Sequence, residues 1–246
     1  MTVLAVVNQK GGSGKTTLAV HLAAAWAAFG RSVLVVDLDP QGSASRWLGA
    51  SDAGAVDVLT SGANLEAVAE ASNVAGVDVI GSSMALAGAV RNAPPHTVNA
   101  LRAALQRAPE RWHTVIVDCP PSLDVLSVAA LLAASGVVVP VDPSGLTLGA
   151  LVGLFDTLAE VRAQTGRLDV AGIVPVRVDE RQRLARDVVA VLRERHGSAV
   201  TTAIVRERVV FREAATLGRT VLELDPQGDA AADVRAVASE LLERIP

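Results

Sequence analysis

Short apolar runs rich in valine and isoleucine recur along the 246-residue chain. Roughly four to eight uninterrupted apolar residues are typical of a strand buried on both faces, because a half-exposed strand alternates apolar with polar positions. The runs occupy residues 2–8, 32–37, 77–80, 113–118, 136–141, 169–176 and 200–205. The pattern therefore predicts a sheet whose strands are mostly parallel.

Segments with apolar residues at helical spacing separate these runs. They cover residues 16–29, 98–106, 148–165, 181–195 and 229–244. Strands that alternate with helices indicate an α/β fold, in which helices cover both faces of a twisted sheet. The sequence contains no internal repeat, long linker or low-complexity tract, so it predicts one domain over residues 1–246.

Two apolar stretches are candidates for membrane contact. Residues 125–141 form the longest uncharged run, but these 17 residues include Pro140 and fall short of a membrane span, which needs about 20. We expect a buried helix followed by a buried strand there. The polar face of residues 229–244 carries four acids against two arginines. Anionic lipid would repel that face, so we expect this helix to pack on the core and predict no membrane contact.

Composition narrows the functional classes. Half of the residues are hydrophobic and 20% are charged, which is typical of a globular protein. Three Trp, three Phe and no Tyr argue against a module that stacks nucleic-acid bases on aromatic rings. Cys119 is the only cysteine, so an internal disulfide is excluded and a reducing, cytoplasmic location is expected.

Charge is distributed unevenly along the chain. The net charge is −4, yet residues 162–219 contain 12 arginines against 7 acidic residues. Two explanations are open at this point. The arginines form a local face that binds phosphate groups, or they lie on solvated helix surfaces and pair with nearby Asp and Glu.

The stretch VVNQKGGSGKTTLAV, residues 6–20, contains both lysines of the chain, whereas the other twenty basic residues are arginines. A compact ammonium fits inside a tight turn of backbone around phosphates better than a planar guanidinium does. The stretch follows a predicted strand and begins a predicted helix, which is the context of a phosphate loop. Gln9 replaces the first Gly of the general G-x-x-x-x-G-K-[ST] pattern. A variant phosphate loop is therefore predicted, with an ordinary tight turn as the alternative.

Three carboxylates follow two of the predicted strands. Asp37 ends the second run and Asp39 follows it, and Asp118 ends the fourth. Open α/β sheets bind ligands at the carboxyl ends of their strands, and Mg²⁺ takes few carboxylates because it keeps several waters. The three acids together predict a Mg²⁺ site beside the loop, although any one of them could instead cap a helix.

Three motifs in this order, NQKGGSGKTT, VLVVDLDPQGSAS and VIVDCPPS, resemble the deviant Walker A, A′ and B motifs of the ParA/Soj family of DNA-partitioning ATPases, within the wider ParA/MinD group. The segment REAATLGRTVLELDPQGDAAADV resembles that family's closing segment, so the likeness covers essentially the whole chain. The resemblance implies a P-loop NTPase fold of the deviant Walker A type. It also implies a single ATPase domain with no N-terminal helix-turn-helix domain.

The resemblance implies a role for each motif residue. Lys10 would cross an ATP-sandwich dimer to touch the other subunit's phosphates, and Lys15 would bind the phosphates of its own subunit. Asp39 would orient the attacking water. The rest of the site would comprise Gly11, Gly12, Ser13, Gly14 and Thr17 on the phosphates of ATP or ADP, and Thr16, Asp37 and Asp118 at Mg²⁺.

The resemblance further implies an ATP-dependent homodimer that binds double-stranded DNA without sequence preference and associates with the nucleoid. A ParB-type partner would stimulate its slow ATP hydrolysis. Residues 206–214 depart from the P-R-N-V-R-L-x-E-A segment that the family has near adenine, so the way the base is held is open. The predicted DNA-binding residues are Arg181, Arg183, Arg186, Arg206, Arg208, Arg212 and Arg219.

Two other functions are open. One is a MinD-like ATPase that cycles on a membrane, which the acidic last helix disfavours, and the other is a metabolic P-loop enzyme acting on a small molecule. An electron carrier similar to nitrogenase reductase is excluded, because one cysteine per subunit cannot supply two ligands to a bridging cluster.

Overall fold

The computed structural model describes residues 1–51, 53–91, 93–108, 110–143 and 147–245, which form an eight-stranded sheet flanked by helices. The strands are β1 (Thr2–Val6), β2 (Val33–Asp37), β3 (Glu70–Ala71), β4 (Val77–Ile80), β5 (Thr114–Asp118), β6 (Gly136–Val141), β7 (Asp169–Val178) and β8 (Val205–Arg206). Their order in the sheet is β3-β4-β2-β5-β1-β6-β7-β8. β3 pairs antiparallel with β4 and the other neighbours pair in parallel, which confirms the predicted fold class.

Helices cover both faces of this sheet. They are α1 (Lys15–Ala28), α2 (Ser43–Leu48), α3 (Gly54–Ser61), α4 (Leu65–Val68), α5 (Met84–Arg91), α6 (Ala100–Arg107), α7 (Val125–Ala133), α8 (Thr147–Thr165), α9 (Arg183–His196), α10 (Val210–Leu217), α11 (Val221–Leu224) and α12 (Asp229–Arg244). Side chains alternate along β1, so Leu4 and Val6 pack with α1 and α12. Val3 and Ala5 pack on the other face with α6, α7 and α8.

The five predicted helices correspond to α1, α6, α8, α9 and α12, with ends that differ by at most two residues. The uncharged run 125–141 forms α7 followed by β6, as expected. Helices α2, α3, α5 and α10 are not among the predicted helices. Each has only six to eight residues, so it completes too few turns to establish a helical period.

The predicted strand over residues 200–205 is wrong for most of its length. Val200 makes an isolated bridge to Ile173, and regular pairing begins at Val205. Between them, the carboxylate of Glu240 on α12 accepts hydrogen bonds of 2.8 Å from the backbone N–H groups of Thr202 and Ala203. A side chain from a distant helix thus satisfies donors that a neighbouring strand would otherwise take.

The apolar stripe of α12 is packed inside the protein. Val234, Val237, Ala238 and Leu241 are buried, and Nε1 of Trp26 in α1 donates a hydrogen bond of 2.9 Å to the backbone oxygen of Ala238. Core packing of this stripe, as predicted, is therefore confirmed. None of the helices that the structure describes combines the length and hydropathy needed to cross a bilayer.

Candidate functional site

Glycines shape the loop between β1 and α1. Gly12 and Gly14 have φ angles of 72° and 83°, in the left-handed region that other residues rarely adopt. A Cβ atom on Gly14 would lie 3.3 Å from the side chain of Val176, whereas one on Gly12 would meet nothing within 4 Å. Packing and conformation both require glycine at position 14, and the space beside Gly12 leaves room for a ligand.

The side chain of Lys15 is buried in the first turn of α1. Only 7% of the residue is exposed, and Nζ donates a hydrogen bond of 3.4 Å to the backbone oxygen of Lys10. Burial lowers the pKa of Lys15, and the nearby carboxylate of Asp118 opposes that shift. Because a buried ammonium needs compensating negative charge, this arrangement favours an anion in the loop.

Asp118 ends β5 next to the first turn of α1. Oγ1 of Thr16 donates a hydrogen bond of 2.7 Å to Oδ2 of Asp118, while the buried Oδ1 has no hydrogen-bond partner among the described residues. Burial and the neighbouring carboxylate of Asp37 raise the pKa of Asp118 well above its usual value. A buried carboxylate oxygen without a donor, beside a hydroxyl, suits a hard cation such as Mg²⁺.

Asp37 lies opposite Asp118 on the adjacent strand β2. Its Oδ1 accepts a hydrogen bond of 2.9 Å from the backbone of Asp39, and its Oδ2 accepts bonds of 2.8 and 2.6 Å from the N–H and hydroxyl of Ser45. Burial raises the pKa of Asp37 to about 6, although the bonds from Ser45 oppose the shift. Asp37 therefore fixes the turn before α2 and places negative charge beside Asp118.

No group of three or more His, Cys, Asp or Glu side chains in the described ranges is arranged to hold a metal ion. Mg²⁺ does not need one, because it usually takes one or two carboxylates and completes its shell with waters and phosphate oxygens. Thr16 and Asp118 fit that donor set.

One cavity of about 350 Å³ joins the phosphate loop to Asp39. All seven residues from Gly11 to Thr17 line it. The hydroxyl of Ser13 is buried and has no hydrogen-bond partner among the described residues, so it is available to an acceptor in the loop. Asp39 is positioned by its own turn, where Oδ1 accepts a hydrogen bond of 2.9 Å from the backbone of Gln41. The tertiary structure thus brings the loop residues and one carboxylate into a shared space.

A second cavity, of about 340 Å³, adjoins the first and shares Gly14, Thr17 and Arg177 with it. Its walls include the apolar side chains of Leu18, Val176 and Phe211. Phe211 belongs to residues 206–214, the segment that the family resemblance puts near adenine. Because this segment departs from the family pattern, the sequence assigned no role to the Phe211 ring. An apolar slot with an aromatic wall beside a phosphate cradle has the composition of a base-binding pocket.

His21 connects α1 to the C-terminal part of the chain. Its Nε2 faces the backbone N–H of Val221 at 3.1 Å and accepts from it, so Nδ1 carries the proton and donates to the backbone oxygen of Thr17 at 2.7 Å. The rings of Trp47 and Phe211 contact the imidazole edge to face, with centroids 5.4 and 5.2 Å away. Burial lowers the pKa of His21 to about 4, so the ring is neutral at pH 7.

Arg177 is a further residue of the site that the sequence pattern did not reveal. It lies where the register of β7 against β8 shifts, and its φ of 56° is left-handed. That conformation costs a residue with a Cβ about 1–2 kcal/mol, and bulges that keep it often aim a side chain at a functional site. Nη1 donates a hydrogen bond of 3.2 Å to the backbone oxygen of Gly12, and Nε pairs with Glu207 at 3.0 Å.

Lys10 occupies a different environment from Lys15. Its side chain is 30% exposed, and Nζ lies 3.6 Å from Oδ2 of Asp142. Nη1 of Arg177 lies 3.5 Å from the same oxygen. The backbone N–H of Lys10 is held by Oδ1 of Asn8 at 2.9 Å. The first lysine is therefore partly open to solvent, whereas the second is enclosed by the loop.

The seven arginines predicted to contact DNA are largely engaged with neighbouring groups. Five form ion pairs, namely Arg181 with Asp179, Arg183 with Asp187, Arg206 with Glu180 and Asp233, Arg208 with Asp229, and Arg212 with Glu207. Arg186 and Arg219 donate to the backbone oxygens of Glu180 and Glu223. Of the two explanations that the sequence left open, pairing with nearby acids describes most of these side chains. Arg181 and Arg183 are nevertheless 91% and 88% exposed, so a phosphate backbone can reach them.

A parallel sheet with a glycine loop between β1 and α1, a buried lysine and carboxylates at strand ends defines a P-loop nucleotide-binding protein. Residues 1–169 match the AAA domain family. The chromosome-partitioning ATPase Soj of Thermus thermophilus is 39% identical over an alignment of 248 positions, which covers 98% of this chain and 96% of the relative. The chain belongs to the ParA/Soj family of chromosome-partitioning ATPases.

Another relative agrees with this assignment, and a solved structure of a synthase shares the fold. The chromosome partitioning protein ParA of Caulobacter vibrioides is 37% identical, over 92% of this chain and 88% of its own. The structure of cobyrinic acid a,c-diamide synthase from Mycobacterium smegmatis with a bound ATP analogue and magnesium is 30% identical and has a TM-score of 0.84. It covers 99% of this chain and 95% of that one, so the whole fold is shared.

Proposed function

We propose that this protein is an ATP-driven partitioning ATPase, which alternates between a DNA-bound ATP dimer and a free ADP form. The observation that carries the proposal is the single cavity in which the loop Gly11–Thr17 meets Asp39. Phosphoryl transfer requires a phosphate cradle and a group that orients the nucleophile within one space, because catalysis there is mostly positioning and charge stabilisation. Membership of the partitioning family supports the biological role.

ATP or ADP would occupy the two adjoining cavities, with its phosphates in the loop and its base against Phe211. Mg²⁺ would be held by Thr16 and Asp118, with Asp37 nearby, and once bound it neutralises charge on the phosphate oxygens. The related synthase, solved with an ATP analogue and magnesium, supports this choice of ligands.

The residues of the loop would divide the work of phosphate binding. Backbone N–H groups at Gly11, Gly12, Ser13 and Gly14 would donate to phosphate oxygens, and Thr17 would contact the α-phosphate. The phosphates would supply the negative charge that the buried ammonium of Lys15 needs. The carboxylate of Asp39 would accept a hydrogen bond from water and orient it for attack.

Lys10 would complete the site of the other subunit across an ATP-dependent homodimer. Its side chain is 30% exposed, which is compatible with such a reach. Each site would then be complete only in the dimer. We expect slow hydrolysis, because a switch needs a long-lived ATP state, and we expect a ParB-type partner to accelerate it.

The dimer would bind double-stranded DNA without sequence preference and associate with the nucleoid in the cytoplasm. Two subunits would bring together two sets of exposed arginines, including Arg181 and Arg183. Contacts to phosphates alone carry no sequence information. The other five candidates, Arg186, Arg206, Arg208, Arg212 and Arg219, would need to exchange the internal partners described above for phosphate oxygens.

Sedimentation with DNA tests this proposal. The protein would be centrifuged with long duplex DNA and Mg²⁺ plus ATP or ADP, over a salt series. We expect co-sedimentation with ATP that declines steeply with salt, and little with ADP. The Asp39→Ala variant should form the dimer, stay on DNA with ATP and hydrolyse more slowly. Equal binding with ATP and ADP, or none with either, would contradict the proposal.

A metabolic P-loop enzyme is the second candidate, because the similar solved structure is named as a synthase. Phosphate release that rises with a small-molecule acceptor, and not with DNA or a partner protein, would favour it. A MinD-like membrane cycle has less support, since the apolar stripe of α12 is used in the core. ATP-dependent flotation with anionic liposomes would nevertheless support that cycle.

A further inference from the structure

We propose that Asp142 and Arg177 form an electrostatic latch, which holds Lys10 and the phosphate loop in the nucleotide-free protein and is opened by nucleotide phosphates. The inference rests on the proposed function, since it describes how the same site is regulated. Oδ2 of Asp142 lies 3.6 Å from Nζ of Lys10 and 3.5 Å from Nη1 of Arg177. That same Nη1 donates a hydrogen bond of 3.2 Å to the backbone oxygen of Gly12. The latch therefore connects Lys10, which precedes the glycines, to Gly12 within the loop.

The backbone of β7 aims Arg177 at the loop. Val174 and Val176 pack in the core on the α1 side of the sheet, whereas Val178 packs with α9 on the other side. Strict alternation would put all three valines on one face. The left-handed residue at position 177 reverses the alternation and leaves its own side chain directed away from both cores, toward the loop. Such a conformation at an arginine indicates that the position of the guanidinium matters.

Arg177 is a positioning residue for the phosphate loop. When the N–H groups of such a loop turn inward to phosphate, its carbonyl groups turn outward and need donors of their own. Arg177 supplies one to Gly12 and is anchored on its other side by Glu207, whose Oε2 lies 3.0 Å from Nε. The orientation of the peptide after Gly12 thus depends on a residue 165 positions away in the chain.

A bound nucleotide would compete with Asp142 for both cations. Arg177 lines the same cavity as the loop, so phosphates in that cavity lie within its reach. The side chain of Asp142 is only 19% exposed, which protects the resting ion pairs from solvent screening. Phosphates carry more negative charge than one carboxylate, so they would compete with Asp142 for Lys10 as well as for Arg177, and the ion pair that holds Lys10 would weaken. Lys10 then becomes available to the other subunit.

Side-chain NMR tests the resting latch directly, because the chain has just two lysines. Protein labelled with ¹⁵N-lysine gives two ammonium signals, and Lys10→Arg assigns them. In the nucleotide-free protein, we expect Asp142→Asn to accelerate hydrogen exchange at Lys10 by at least about threefold and to leave Lys15 unchanged. Adding Mg²⁺ and ADP to the unmodified protein should move the Lys10 signal toward its position in Asp142→Asn.

The matched control is Asp169→Asn, which removes the exposed carboxylate 3.2 Å from Arg162 at a distance from the loop. It should leave both lysine signals unchanged. A Lys10 signal that is identical in Asp142→Asn and the unmodified protein, or that does not respond to nucleotide, would overturn the latch.

Dimerisation provides the second measurement. With a non-hydrolysable ATP analogue, Asp142→Asn should form the dimer at a protein concentration lower by about threefold or more, as measured by light scattering. That gain should disappear in the Lys10→Ala background, and a gain that persists there would overturn the link to Lys10. If the unmodified protein forms no dimer, the proposed function fails, and the lysine signals alone decide whether the latch exists.

Discussion

The hydroxyl of Thr16 donates a 2.7 Å hydrogen bond to Oδ2 of Asp118 and so joins the start of α1 to the end of β5. The other oxygen of Asp118 is buried without a hydrogen-bond partner among the described residues, and Asp37 adds a second buried carboxylate beside it. Two adjacent buried acids repel each other, which is one reason why the pKa of Asp118 is raised. A cation at this point would relieve that repulsion.

Removing the carboxylate charge should therefore weaken metal binding. We expect Asp118→Asn to raise the Mg²⁺ concentration needed for tight nucleotide binding by about 10- to 100-fold. A fluorescent ADP analogue titrated with Mg²⁺ measures this directly. The exposed Asp156 on α8 provides the control, since Asp156→Asn removes the same charge away from the loop. Equal Mg²⁺ dependence in both variants would argue against a metal at Asp118.

The two lysines should separate nucleotide binding from dimerisation. Lys15→Ala should lose nucleotide binding, because Lys15 is the buried ammonium of the cradle. Lys10→Ala should still bind nucleotide but should form no ATP dimer, because the partly exposed Lys10 acts on the other subunit. Calorimetric titration with ADP and light-scattering mass with an ATP analogue give the two readouts. Normal ATP hydrolysis by Lys10→Ala would refute the role assigned to Lys10.

Phe211 should contribute to binding the base and not the phosphates. We expect Phe211→Ala to weaken ADP binding by about 1–2 kcal/mol, or roughly 5- to 30-fold, through lost aromatic contact. Binding of pyrophosphate should change little, because the phosphate loop is intact. Phe29, which is 44% exposed at the end of α1, provides the control variant Phe29→Ala. An equal loss of affinity for ADP and for pyrophosphate would show that Phe211 supports the folded structure and does not contact the base.

His21 should make the free energy of unfolding depend on pH. Its pKa falls from 6.5 to about 4 in the folded protein, because burial disfavours the charged ring. Between these values the unfolded chain binds a proton that the folded chain does not, so stability is present above pH 6.5 and is lost as pH falls toward 4. The expected loss from this group is about 3 kcal/mol. Asp37 acts in the opposite direction, because its pKa is raised to about 6 and the folded protein takes up its proton first.

A variant isolates the contribution of His21 from that of Asp37. From pH 7 to pH 4, the free energy of unfolding of the unmodified protein should fall by about 3 kcal/mol more than that of His21→Gln. Urea titrations at several pH values measure it. Asp37 is present in both proteins and cancels. A difference that stays constant with pH would mean that His21 is not neutral in the fold.

Much of the sheet could be predicted from the sequence, because uninterrupted apolar runs are a local property of each strand. Residues 200–205 show where this reasoning fails. The run is apolar enough for a strand, yet Glu240 reaches the N–H groups of Thr202 and Ala203 from α12. The sequence near residues 200–205 does not indicate that a carboxylate 37 or 38 positions away accepts the hydrogen bonds that a neighbouring strand would otherwise accept.

The sequence by itself determined the phosphate loop, its two lysines and the acids at the strand ends, because glycine spacing and strand termini are written in consecutive residues. Only the tertiary structure decided which distant residues complete the site. Arg177 reaches Gly12 across 165 positions, and His21 meets Val221 across 200. Both contacts depend on how distant elements pack together, and the first also depends on the left-handed residue in β7. Neither feature produces a periodic pattern in the sequence.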